Sequence, residues 1–152
     1  MEGHVGSRLA GVGATRDRQV ALSISSDRPR DRLGRPLDPG DPRAYPGVPE
    51  RSEIDGVAAW NEANEYLRRD LPFHAHEVFE QRWKCAPDGE REVWQALAQW
   101  GAALTQRARG NDVGQRRLAA RARAKLEGAM IRDDVPAYID APGVIASLSQ
   151  LA

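Results

Sequence analysis

The run Pro72-Phe-His-Ala-His-Glu-Val-Phe-Glu-Gln-Arg-Trp83 places two histidines and two glutamates on one short amphipathic segment. At 3.6 residues per turn His76 and Glu80 are one turn apart, and Glu77 precedes Glu80 by three residues. On a helical wheel, His76 and Glu80 fall between Phe79 and Trp83 on one flank and Phe73 on the other. An imidazole and a carboxylate in an apolar stripe need partners, because burying either alone is costly. They are therefore the chain's candidate catalytic pair, as an acid–base couple with His76 tuned by Glu80, and its candidate metal ligands. His74 points about 160° away on the same wheel.

Further along, Arg91, Gln95 and Gln99 follow at four-residue steps beside the apolar stripe of Leu97, Gly101, Leu104 and Ala108. The short Ala86-Pro87 connection lets this edge meet the His76/Glu80 face in an antiparallel helix pair. Two readings follow. Glu77, Arg91, Gln95 and Gln99 line a polar pocket for a small ligand or a divalent metal, or His76, Glu80, Arg91 and Gln95 satisfy one another as packing. For metal, the spacing is not the zincin His-Glu-x-x-His pattern, since a glutamate stands where the second histidine would be. Ferritin-like sites need Glu-x-x-His on two helices, and no second copy is present. Two protein ligands completed by glutamine or water would make a labile site. Hydrolysis or proton transfer is the chemistry such a pocket would host, yet no nucleophile or phosphate loop accompanies it. Whether any reaction is catalysed stays open.

The bulk of the sequence narrows the partners. The 152 residues carry 22 basic and 22 acidic side chains, so no global field draws the chain to nucleic acid or an anionic membrane. Seven basic residues and one acid lie between Arg107 and Lys125, but Arg116, Arg117, Arg121 and Arg123 spread around the helix without interleaved aromatics. Nucleic acid is thus disfavoured. No apolar run approaches the roughly 18 residues of a membrane span. Cys85 is the sole cysteine, which excludes an intrachain disulfide and fits a reducing cytoplasm.

Residues 1–50 hold seven of the fourteen glycines and six of the ten prolines, with no tryptophan and no helical period. They predict an extended, disordered arm, with Leu33 and Leu37 able to dock on a surface. Residues 51–152 read as an all-α domain, a compact bundle of four to five helices. Ser52, with Asp55 behind it, resembles the start of the first helix. Leu71-Pro72 ends it, and a second helix runs from Phe73 to about Cys85. A third, capped by Asp88, reaches about Arg109. Gly110-Asn111 separates it from a fourth, about Asp112 to Ala129, and Pro142 opens a short last helix with Val144, Ile145, Leu148 and Leu151 inward. So small a core would profit from a homodimer interface. The alternative to the pocket is a non-enzymatic interaction module, using the arm and the arginine-rich fourth helix.

Phe73-His-Ala-His-Glu-Val-Phe-Glu-Gln-Arg-Trp83, Trp94-Gln-Ala-Leu-Ala-Gln99, Thr105, Arg109-Gly-Asn111 and Gly114 together resemble the bacterial domain-of-unknown-function family 309 over residues of about 52 to 130. The resemblance implies a compact all-helical bacterial protein with no established activity. It also implies that His76, Glu77, Glu80, Trp83, Gln95, Gln99 and Asn111 occupy motif positions, which adds Asn111 to the ligand-binding candidates. Residues before Ser25 have no counterpart in it, as expected if translation starts downstream of Met1.

Overall fold

The computed structural model describes residues 28–152. Five helices follow in order: α1 (Gly56–Arg68), α2 (Pro72–Cys85), α3 (Arg91–Ala108), α4 (Asp112–Ile131) and α5 (Ala141–Gln150). A 3-10 turn, Asp88–Glu90, leads into α3. The only β-type pairing among the described residues is an isolated bridge between Arg30 and Pro36. The all-α class expected from the periodicity is the one found.

Helix ends follow local chemistry, with two departures from the sequence reading. Asp55, not Ser52, caps α1, its carboxylate accepting from the Ala58 amide at 3.2 Å. The reason lies in Ile54, which is buried and whose carbonyl accepts from Arg82. The chain must run inward past Ile54 before a helix can start. Asp88 opens the 3-10 turn and caps nothing with its side chain. Asp70, at φ 59°, makes the reversal between α1 and α2, a conformation that aspartate tolerates better than most residues. Pro72 then occupies the first turn of α2, where its missing N–H costs nothing.

Each helix packs on its neighbour in sequence, α1 on α2, α2 on α3, α3 on α4 and α4 on α5. The centre of the core is Phe79 of α2, fully buried, with the rings of Trp60, Trp94 and Trp100 at 6.3, 6.3 and 5.9 Å. Three of the four tryptophans therefore pack on one phenylalanine, and apolar burial of this kind is worth roughly 25 cal/mol per Å². The α2–α3 contact is close because Gly101 sits against His76. A Cβ at position 101 would lie 2.9 Å from the His76 Cα and 3.0 Å from its backbone nitrogen.

Residues 28–50 differ from the free arm their composition predicts. Leu37 is buried, and the Arg109 guanidinium donates to the Leu33 carbonyl at 2.6 and 3.0 Å. Gly34 turns at φ +81° directly over Phe73, where any side chain would overlap the ring. The Pro46 and Pro49 carbonyls accept from His74 and Gln81 at 2.7 Å each. Proline-rich segments offer many carbonyls without N–H groups of their own, so donors on α2 and at Arg109, just past the end of α3, hold the arm without any apolar periodicity within it. The rest of the predicted arm, residues 1–27, lies outside the described residues.

Candidate functional site

His76 and Glu80 come together on α2 as the spacing requires. His76 Nε2 lies 3.2 Å from a Glu80 carboxylate oxygen, and the other Glu80 oxygen is 3.3 Å from Lys84 Nζ. On its far side the imidazole reaches across to α3, with Nδ1 at 2.9 Å from the Ala98 carbonyl. Both of its neighbours are acceptors. An imidazole that hydrogen-bonds two acceptors must carry a proton on each nitrogen, so the geometry selects the imidazolium. Burial works against that charge, but the hydrogen bonds to Glu80 and to the Ala98 carbonyl, with the fields of Glu80 and Glu77, outweigh it and raise the His76 pKa above 6.5. The same hydrogen bond from His76, despite desolvation, holds the Glu80 carboxyl down at about 2.

An imidazolium has no lone pair to offer a metal and no capacity to accept a proton. As an imidazolium held between these two acceptors, His76 acts as a charged clamp joining α2 to the backbone of α3. The consequence for stability has a definite sign. His76, with its pKa raised, stabilises fully below its unfolded value of 6.5 and less as pH rises through its folded value. Glu80, with its pKa lowered, stabilises fully above 4.5 and less as pH falls towards about 2. Glu80→Gln is therefore expected to destabilise most between these two unfolded values, by about 1 kcal/mol for a pair a quarter to a third exposed, and clearly less at pH 9. Urea unfolding of both proteins at pH 6 and pH 9 checks it, and an equal loss at both would remove the charged clamp from the account.

None of the remaining sequence candidates hydrogen-bonds or ion-pairs with this pair. Arg91 is exposed, and Gln95 is half-buried. Gln99 Oε1 is buried without a hydrogen-bond partner. The mutual satisfaction expected from Arg91 and Gln95 is met instead by Ala98 and Lys84. A backbone carbonyl facing His76, and a lysine one turn beyond Glu80, are nearer partners than side chains that must reach between helices. Asn111 has a local role. Its side-chain oxygen caps α4 at the Gly114 amide, 3.1 Å away, and its amide nitrogen donates to Gln106 at 2.9 Å. Cys85 is a free thiol, half-buried, with its sulfur 3.7 Å from the Ile54 carbonyl. Among the described residues no three His, Cys, Asp or Glu side chains gather as a metal site.

Glu77 faces elsewhere, into a cleft of about 710 Å³ between the arm and α2. Arg28, Arg30, Asp31, Tyr45, Glu50 and Arg51 line it from the arm side, and Phe73, His74, Glu77, Gln81 and Lys84 from α2. The sequence reading missed this arrangement. His74, set aside as pointing away, is 3% exposed and packs on Tyr45 and Tyr66, each at 5.3 Å. Its Nε2 donates to the Pro46 carbonyl, and its Nδ1 is buried with no hydrogen-bond partner. Arg51 ties the floor together by bonding both Glu62 of α1 and Gln81 of α2. A signal was present in Tyr45-Pro46, an aromatic in an otherwise polar arm, but nothing local shows where it docks.

Residues 60–118 match a family model described as Domain of unknown function (DUF309). The resemblance read from the motifs is borne out. The DUF309 match starts at Trp60, covers α2 and α3 whole and ends within α4, a narrower span than the motifs suggested. It contains the clamp and the α2 wall of the cleft, whereas the arm that closes the cleft lies outside it. No curated protein and no solved structure matches the chain. No helix of the described residues is long and apolar enough to cross a membrane.

Proposed function

We propose that this DUF309-containing chain is a binding protein of the cytoplasm, and that its ligand site is the cleft between the arm and α2. The observation that carries the reading is the cleft itself. Its volume falls within the range of small-molecule sites, and two separate chain segments bring aromatic and charged groups to it. Its carboxylates and cations are not equally available. Asp31 is spent on the Leu33 and Arg35 amides of its own turn, Arg51 on Glu62 and Gln81, and Lys84 on Glu80. Arg28 and Arg30 each donate to one backbone carbonyl; Arg28 also lies 3.6 Å from the exposed Asp38 carboxylate and Arg30 lies over the Phe73 ring, and both guanidinium groups keep N–H groups beyond these. Glu50, from the arm, and Glu77, from α2, also line the cleft. The ligand class that fits is a small organic anion that also bears an amine, its body resting on Tyr45 and Phe73.

The lone cysteine, which no intrachain partner can oxidise, supports the cytoplasmic placement. A divalent metal on His76 and Glu80 has less support, because the imidazole would first have to give up a proton that two acceptors hold. Hydrolysis lacks an activated nucleophile and forms no part of the reading.

Thermal unfolding with a panel of carboxylates and phosphate monoesters, each with and without a primary amine, tests the proposal. An amino-bearing anion should raise Tm in proportion to the logarithm of its concentration over Kd. Arg28→Gln and Glu77→Gln, both at solvent-accessible positions, should each weaken that ligand about tenfold while leaving the unliganded Tm in place. A panel without effect, or one whose effect survives both substitutions, would overturn the assignment.

A further inference from the structure

The fourth helix carries apolar residues on two opposite faces. Ala119, Ala122, Leu126 and Ala129 are buried against the bundle. On the other side Val113, Ala120, Ala124 and Ile131 are exposed, Val113 at 65% and Ile131 at 86%. Positions 113 and 131 are five full turns apart, so they lie on one line parallel to the axis. Arg117, Ala120, Ala124 and Glu127, all exposed, fall within about 40° of that line. Their alternating spacing of four and three residues is that of a seam between two helices.

The seam also reads alike from both ends. Outward from residue 122 come alanine, then a charged residue, then a large aliphatic, and the two charged residues have opposite signs. We infer that this face is the contact between two copies of the chain, with their fourth helices antiparallel about a two-fold axis near residue 122. Val113 then meets the partner's Ile131, Arg117 meets the partner's Glu127, and Ala120 meets the partner's Ala124. A parallel pairing would set Arg117 against the partner's Arg117 and Glu127 against the partner's Glu127, so charge selects the antiparallel one. The alanines at the centre let the two axes approach towards the 8 Å end of the usual range. Arg116, Arg121 and Arg123 lie about 60–80° off the seam, and Arg123 is already 3.5 Å from Glu127 of its own helix. A single helix pair is small beside the 1,200–2,000 Å² of stable interfaces, which puts the dissociation constant in about the micromolar range.

Sedimentation equilibrium of the full chain over about 1 to 200 µM tests this, with circular dichroism to confirm that each variant is folded. A reversible monomer–dimer equilibrium is expected for the wild type. Arg117→Glu and Glu127→Arg should each weaken it about tenfold or more, because each places like charges in contact. An equimolar mixture of those two variants should dimerise again, since both inter-copy pairs then have opposite signs. Ala120→Glu, at the centre of the seam, should leave a folded monomer. A wild type that stays monomeric over this range overturns the proposal, and so does a dimer that survives Ala120→Glu.

Discussion

Phe79→Ala is expected to destabilise the protein by about 3–5 kcal/mol, the range for deleting a fully buried aromatic side chain. The magnitude sits high because of what surrounds the ring. Trp60, Trp94 and Trp100 come from α1 and α3 and meet on Phe79 of α2, so the cavity would open where three helices join. Rigid indoles collapse into such a space poorly, and Trp94 is held by its N–H bond to Glu90 at 3.1 Å. Against a total stability of 5–15 kcal/mol for a domain of this size, the variant stands close to unfolding at room temperature. Urea denaturation followed by tryptophan emission reads both outcomes, since three of the four reporters touch the mutated site. Phe79→Leu, which refills most of the volume, should cost about 1–1.5 kcal/mol. Equal losses for the two would mean that the aromatic cluster does not centre on Phe79.

Gly101→Val is expected to cost about 3 kcal/mol, at the upper end of overpacking penalties. Glycine inside a helix is normally a weakness, and a residue with better helix propensity should gain a few tenths of a kcal/mol. Here the added Cβ would meet the Cα, Cβ and backbone nitrogen of His76 at 2.9–3.0 Å. Backbone atoms cannot step aside as a flexible side chain would, so α2 and α3 must separate and the His76 bond to the Ala98 carbonyl must lengthen. The substitution should therefore also lower the His76 pKa towards its ordinary value. Differential scanning calorimetry gives the stability, and a variant as stable as the wild type would contradict the close approach.

What the sequence made legible was whatever repeats at helical spacing. Leu97, Leu126 and Leu148 mark core stripes on three helices, and each is buried as its period demands. The motif from Phe73 to Trp83 pointed to α2 as the element that matters, and His76 and Glu80 do pair one turn apart. Their further partners were not legible, for two different reasons. The Ala98 carbonyl belongs to the backbone, which carries no residue-type signal, and His76 reaches it only because Gly101, three residues on, lets the helices close. Tyr45 and Pro46 lie about 30 residues from His74 in an arm without period, so no local spacing could place them on α2. Gln95 and Gln99 suggest hydrogen bonding at an inter-helix edge, but the two nitrogens of His76 face nearer acceptors, Glu80 and the Ala98 carbonyl.

The account rests most heavily on His76 as a protonated clamp rather than a base or a metal ligand. Titration of its ring nitrogens by two-dimensional NMR, with the resonances assigned through His76→Gln, tests that directly. The account predicts protons on both nitrogens at pH 6, a pKa above 6.5, and a fall towards 6.5 in Glu80→Gln. It also predicts no change in the ring signals on adding zinc at that pH. A neutral ring at pH 6, with a free lone pair on Nε2 and a pKa below 6.5, would contradict it and return His76 and Glu80 to the role of a reactive pair.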